Sequence, residues 1–77
     1  MIWYVKSVFP YSVFMSRDVE SIKECFTKTY DKRFLAEEKS LRLNRSWHIF
    51  KKRDEKMVEV YNKKIRSIRM DNPEWFL

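Results

Sequence analysis

Glycine is absent from the 77-residue chain, although average usage would place roughly five glycines in a sequence of this length. The phosphate-binding loops of nucleotide hydrolases and of dinucleotide-binding enzymes need glycine where backbone N–H groups approach a phosphate. The sequence therefore excludes both enzyme classes in their usual form. Without glycine, residues of positive φ are expected at Asn44, Asn62, Asn72 or an Asp.

Cysteine and histidine are almost as scarce, with one residue of each, Cys25 and His48. A single cysteine cannot close an internal disulfide, and this pair cannot supply a structural zinc site. We therefore expect no metal and no cofactor, and a cytoplasmic location. His48 stands without a second base or a defined nucleophile, so the sequence favours a protein that is not an enzyme and has no catalytic residues.

The first fifteen residues are mostly apolar. They lack the basic start and the small-residue cleavage site of a signal peptide. They are also shorter than the roughly 20 apolar residues that a membrane-spanning helix needs. We interpret them as part of a hydrophobic core and expect no membrane partner.

Residues 2–9 are rich in β-branched and aromatic side chains and are followed by Pro10. This pattern predicts a β-strand. Its pairing partner is either residues 12–15, folding back across the turn, or the apolar C-terminal residues 75–77. A strand without a partner would have an exposed edge, so the sequence also allows a homodimer through residues 2–9.

A helix is predicted over about residues 17–31. Val19, Ile22, Phe26 and Tyr30 follow one another at spacings of three, four and four, which places them on one helix face. Residues 32–45 fit both a helix and an alternating strand, and we leave both alternatives open.

Residues 46–70 fit one long helix better than two strands. At 100° per residue the apolar side chains of this segment share one arc: Trp47, Phe50, Met57, Val58, Tyr61, Ile65 and Ile68. A hairpin over residues 46–62 explains fewer of them, because Ile65 and Ile68 are three residues apart and cannot lie on one strand face.

The fold predicted from these segments is α+β, with a short N-terminal strand or hairpin packed against two or three amphipathic helices. The alternative is a β-α-β-β arrangement in which residues 46–62 form the hairpin. Either arrangement makes a single small domain of residues 1–77. Among the aromatic side chains, Phe50 and Tyr61 are expected in the core and Trp75 is a candidate for exposure.

Positive charge is concentrated in the second half of the chain. The whole chain has a formal charge of +6, whereas residues 31–70 alone hold thirteen basic against six acidic side chains. A field of this sign favours acidic partners, and nucleic acid is the leading class. The residues that we expect to contact phosphates are Arg42, Arg45, Lys52, Arg53, Lys56, Lys63 and Arg66.

Two functions compete on this basis. The first is a small basic protein that binds nucleic acid without catalysis, with RNA ahead of DNA because the aromatic content suits unpaired bases. The second is a protein-binding inhibitor or adaptor, of the phage or viral accessory kind, that docks on an acidic surface of a host protein. No sequence-specific nucleic-acid-binding signature separates them.

Overall fold

A computed structural model describes residues 2–16, 28–52 and 54–76. The fold is α+β, as predicted: an N-terminal antiparallel hairpin is followed by two helices. The elements are strand β1 (Ile2–Val5), strand β2 (Val13–Ser16), helix α1 (Arg33–Lys51), helix α2 (Glu55–Asp71) and a short 3-10 turn (Pro73–Trp75).

The partner of β1 is the segment that folds back across the turn. Ile2 lies opposite Ser16 and Val5 opposite Val13, with residues 6–12 connecting the two strands. Val5 is 2% exposed because the inner face of the hairpin packs on α1. The C-terminal segment does not form the second strand, since residues 73–75 fold into the 3-10 turn.

The other edge of β1 also forms backbone hydrogen bonds. Trp3 and Tyr30 form a two-way backbone bridge, with N–H to O distances of 2.7 and 2.8 Å. The open edge on which the homodimer prediction rested is therefore closed at Trp3, and the homodimer through residues 2–9 stays a prediction. Most of the predicted helix 17–31 lies outside the described residues, and its end at residues 28–31 is not helical.

The two helices form an antiparallel pair. Arg45 on α1 contacts Asn62 on α2, and two turns away Glu38 contacts Arg69. The single helix predicted over residues 46–70 is therefore wrong, and so is the alternative hairpin over 46–62. A continuous helix would leave the apolar face of its second half without a partner, whereas the reversal buries Ile65 to 6% exposure.

The chain reverses its direction between α1 and α2 at Lys52 and Asp54. Lys52 is left-handed, with φ 50° and ψ 40°, and its N–H bonds back to α1. The Asp54 side chain then accepts hydrogen bonds from the N–H groups of Lys56 and Met57, which caps the start of α2. Among the described residues Lys52 is the one with positive φ. The expected use of Asn44, Asn62 or Asn72 is therefore wrong, and so is that of an Asp within the described ranges.

Few apolar side chains are buried. In the ranges that the structure describes these are Val5, Ala36 and Ile65, one from each of β1, α1 and α2. Phe50 was expected in the core but is 79% exposed, because α1 ends one residue later and α2 turns away from it. None of the described helices is long and apolar enough to cross a lipid bilayer.

Candidate nucleic-acid interface

Four arginines line one groove between α1 and α2. Arg42 and Arg45 lie three residues apart on α1, and Arg66 and Arg69 lie three residues apart on α2. Residues three apart share a helix face, so each helix directs a pair toward the same space. The groove has a volume of about 580 Å³, and we call it the arginine groove.

One buried carboxylate organises two of these arginines. Glu38 is 5% exposed. Its Oε1 atom accepts a hydrogen bond from Arg69 Nη2 at 3.1 Å and lies 3.8 Å from Arg42 Nε. Since Glu38 is shared between two guanidinium groups, the four arginines keep a formal surplus of three positive charges over it.

Arg45 is held by a neutral partner. Its Nη1 donates to Asn62 Oδ1 on α2 at 2.8 Å, which fixes the guanidinium across the helix pair without cancelling its charge. No ion pair of Arg66 is found within the described residues, and its side chain is exposed. Arg45 and Arg66 therefore supply uncompensated positive charge to the groove.

The structure separates Lys52 from this group. Lys52 lines another cavity, at the turn between the helices, together with Asp54, Glu55 and Glu59. Three carboxylates against one ammonium group make that cavity unsuited to an anion.

The other predicted lysines also lie outside the groove. Lys56 and Lys63 are exposed on α2, seven residues apart and hence on one face, and Ile65 lies on the opposite, buried face. Neither lines the arginine groove, although Lys63 is one turn before Arg66. Arg53 lies outside the described residues. The structure thus brings together Arg42, Arg45 and Arg66 from the predicted set.

Arg69 lines the groove but was not among the residues that the sequence predicted to contact phosphates. The signal that could have identified it is a repeated spacing: Glu38, Arg42 and Arg45 on α1, and Asn62, Arg66 and Arg69 on α2, each follow at intervals of four and three. This spacing defines a polar helix face. Finding the groove also required knowing that α1 and α2 are antiparallel neighbours.

A second cavity, of about 530 Å³, adjoins the arginine groove. Arg42 and Arg69 line both spaces. The rest of the lining of the second cavity consists of apolar and aromatic side chains, the Glu38 carboxylate and the ammonium groups of Lys28 and Lys39. We call it the aromatic cavity after Tyr30, Trp75 and Phe76, and Leu35 also lines it.

Electrostatics link the walls of the aromatic cavity. Burial raises the pKa of the Tyr30 hydroxyl, nearby Glu38 raises this pKa further, and Arg42 opposes the shift. The Arg69 guanidinium lies 5.1 Å from the centre of the Phe76 ring, and Lys32 Nζ lies 5.2 Å from that of Trp75. Lys28 Nζ lies 5.4 Å from the centre of the Tyr30 ring, so a cation accompanies each of the three aromatic rings.

His48 is enclosed by other rings. It lies edge-on to Phe9 at 5.6 Å and to Trp47 at 5.1 Å, and 5.7 Å from Tyr61. Its Nδ1 atom is buried without a hydrogen-bond partner in the part of the chain that the structure describes. Across those same residues, no three His, Cys, Asp or Glu side chains group closely enough to hold a metal ion.

Comparisons with protein families, with curated proteins and with solved structures find no match to this chain. The arginine groove and its surroundings are therefore the features from which a function can be inferred.

Proposed function

We propose that the protein is a small, non-catalytic nucleic-acid-binding protein that holds backbone phosphates in the arginine groove, with RNA preferred over DNA. The observation that carries this proposal is the convergence of Arg42, Arg45, Arg66 and Arg69 from two helices on one groove with a surplus of positive charge. The proposed setting is the cytoplasm.

The chemistry of the groove suits phosphate. A guanidinium group is planar and donates two parallel N–H hydrogen bonds to a phosphate, which a lysine ammonium does not do. The groove is lined by arginine where most of the surface cations of α2 are lysine, such as Lys56, Lys63 and Lys64. Because Glu38 and Asn62 hold three of the four side chains, less side-chain entropy is lost when a phosphate binds.

The preference for RNA rests on exposed aromatic rings. Phe50 is largely exposed and Trp75 is about half exposed. Unpaired bases stack on such rings, and sequence-dependent binding of RNA occurs mainly at single-stranded segments. A single strand that lies in the groove would pass an exposed ring at each end of α1. Trp75 lies near the start of α1, where it contacts Phe34, and Phe50 lies near its end.

The test compares two double variants with the same change of net charge. In Arg45→Gln/Arg66→Gln both substitutions lie in the groove, and in Lys56→Gln/Lys63→Gln both lie on the outer face of α2. Binding of a fluorescent single-stranded RNA is measured by anisotropy over a salt series. Four neutralised phosphates give a slope of log affinity against log salt of about −3 for the unchanged protein.

We expect the groove variant to bind about tenfold more weakly at low salt and to lose about half of this slope. The outer-face variant should bind within about twofold of the unchanged protein, since neither lysine lines the groove. Circular dichroism checks that both variants fold. Equal weakening in both would refute the groove and leave only non-specific attraction to a basic protein.

A second candidate function is favoured by exposed apolar side chains at the end of α1. Ile49 and Phe50 are 56% and 79% exposed, and Lys51 Nζ lies 5.2 Å from the Phe50 ring. Aromatic residues, phenylalanine included, are enriched in protein–protein interfaces relative to the rest of the surface. This surface supports the alternative of an inhibitor or adaptor, of the phage or viral accessory kind, that docks on an acidic protein surface.

The two candidates differ in what remains bound after nuclease treatment. For the second, one protein should co-purify in equal amount from nuclease-treated lysate and should be lost with Phe50→Ser. The matched control is Val8→Ser, which changes an exposed apolar residue in the hairpin loop and should leave the complex intact. Loss of all bound material on nuclease treatment argues for the first candidate alone.

A further inference from the structure

The aromatic cavity stands directly beside the arginine groove and is not used by the proposed phosphate contacts. Arg42 and Arg69 form the boundary between the two spaces. In a nucleic acid every phosphate is followed by a sugar and a base, so a strand fixed by its phosphates in the groove has a base within reach of the neighbouring cavity. Its volume of about 530 Å³ lies within the range of about 300–1,000 Å³ that is typical of small-molecule sites.

We propose that the aromatic cavity takes one unstacked guanine base of a single-stranded RNA and that Glu38 recognises its Watson–Crick edge. This inference rests on the proposed phosphate binding in the arginine groove. The aromatic and apolar members of the wall, Tyr30, Leu35, Trp75 and Phe76, would cover the faces of the base.

Glu38 is what makes guanine the expected base. A carboxylate offers two oxygens and only accepts hydrogen bonds. Guanine presents two adjacent N–H donors, from its N1 and its amino group, whereas adenine, cytosine and uracil each present one donor next to an acceptor. An acceptor that faces a carboxylate is repelled, so the other three bases are disfavoured.

The surroundings of Glu38 strengthen this discrimination. The residue is only 5% exposed, so water competes weakly for its hydrogen bonds. Both arginine contacts are made by Oε1, with Arg69 at 3.1 Å and Arg42 at 3.8 Å. These contacts fix the position of the carboxylate, and both of them are made by Oε1 rather than by the second oxygen, Oε2.

The experiment measures the binding of uridine hexamers in which one central position is guanine, adenine, cytosine or inosine, together with the all-uridine hexamer, by fluorescence anisotropy at constant low salt. We expect the guanine hexamer to bind about tenfold more tightly than the others. Inosine lacks the amino group of guanine and should lose most of this preference.

Two protein variants complete the test. Glu38→Gln keeps the shape of the side chain but replaces one acceptor with a donor, so the preference for guanine over uracil should fall to about twofold or less. The control, Glu37→Gln, makes the same charge change at the neighbouring residue, which pairs with Arg33 and does not line the cavity. This variant should keep the full preference.

The results distinguish guanine recognition in the aromatic cavity from phosphate binding in the arginine groove. Equal affinity for all hexamers overturns guanine recognition and leaves phosphate binding in the arginine groove standing. Failure of every hexamer to bind at low salt overturns both. If Glu38→Gln does not fold, the comparison of guanine with inosine on the unchanged protein decides, because equal binding of these two contradicts the role of Glu38.

Discussion

Asn44 lies in the middle of α1 and yet forms hydrogen bonds of the kind found between strands. Its Oδ1 accepts from Tyr11 N–H at 3.1 Å, and its Nδ2 donates to Tyr11 O at 3.0 Å. Ser40 Oγ donates to the same carbonyl oxygen. Asn44 is buried, so a side-chain amide replaces a peptide group and fastens the hairpin loop to the helix.

Asn44→Ala should lower the free energy of unfolding by about 2 kcal/mol, because Tyr11 loses two partly buried hydrogen bonds at once, one to its N–H and one to its C=O, and the C=O keeps only the Ser40 hydroxyl of the two side-chain donors. Urea denaturation measures this change. The control is Asn62→Ala, which removes one hydrogen bond, to the Arg45 side chain, and should cost less than about 1 kcal/mol. Similar losses in both variants would contradict a special role of Asn44.

His48→Phe should stabilise the protein by about 1 kcal/mol. The buried Nδ1 atom has no partner among the described residues, and a phenyl ring of similar shape fits among Phe9, Trp47 and Tyr61 without the desolvation penalty of that nitrogen. Thermal unfolding followed by circular dichroism provides the measurement. A lower melting temperature for the variant would show that the imidazole makes a polar contact in solution.

At the residue scale the sequence predicted part of the candidate site. Charge alone selected Arg42, Arg45 and Arg66, and the structure brings these three together with Arg69. Charge alone also selected Lys52, which lies among carboxylates. The difference depends on which helix faces meet, and local sequence does not contain that information until the turn at residues 52–54 is known.

At the scale of elements, the strand at residues 2–9 could be predicted from β-branched and aromatic content, and β1 occupies Ile2–Val5. The helix break was harder to predict. The apolar periodicity continues across residues 46–70, so the pattern does not show the break, and the N-cap residue Asp54 was the available signal. The absence of glycine removed the usual marker of a helix end.

Lys52→Gly should raise the free energy of unfolding by about 0.5–1 kcal/mol, because Lys52 occupies a left-handed conformation that disfavours a Cβ atom. The matched control is Lys63→Gly in the interior of α2. This substitution should lower the free energy of unfolding by about 1 kcal/mol. Urea denaturation of both variants gives the comparison. Destabilisation by both substitutions would show that residue 52 is not left-handed in solution.

At the scale of the whole molecule, the positive charge that the sequence places in residues 31–70 divides into distinct surfaces. Four arginines face one groove, Lys56 and Lys63 face solvent, and Lys52 faces three acidic residues. The net charge of +6 favours acidic partners in general, whereas the phosphate binding that we propose depends on the position of the arginine groove.

Helix α1 packs against the hairpin and against α2, and Ala36 in its first turn is fully buried. The hairpin or α2 can detach while α1 keeps one covered face. Unfolding of α1, in contrast, removes the packing surface of both the hairpin and α2. The amide hydrogens of α1 should therefore exchange with deuterium only through global unfolding, whereas those of β2 and of the last turn of α2 should exchange sooner through local opening. Uniform protection along the chain, measured by mass spectrometry, would contradict this hierarchy.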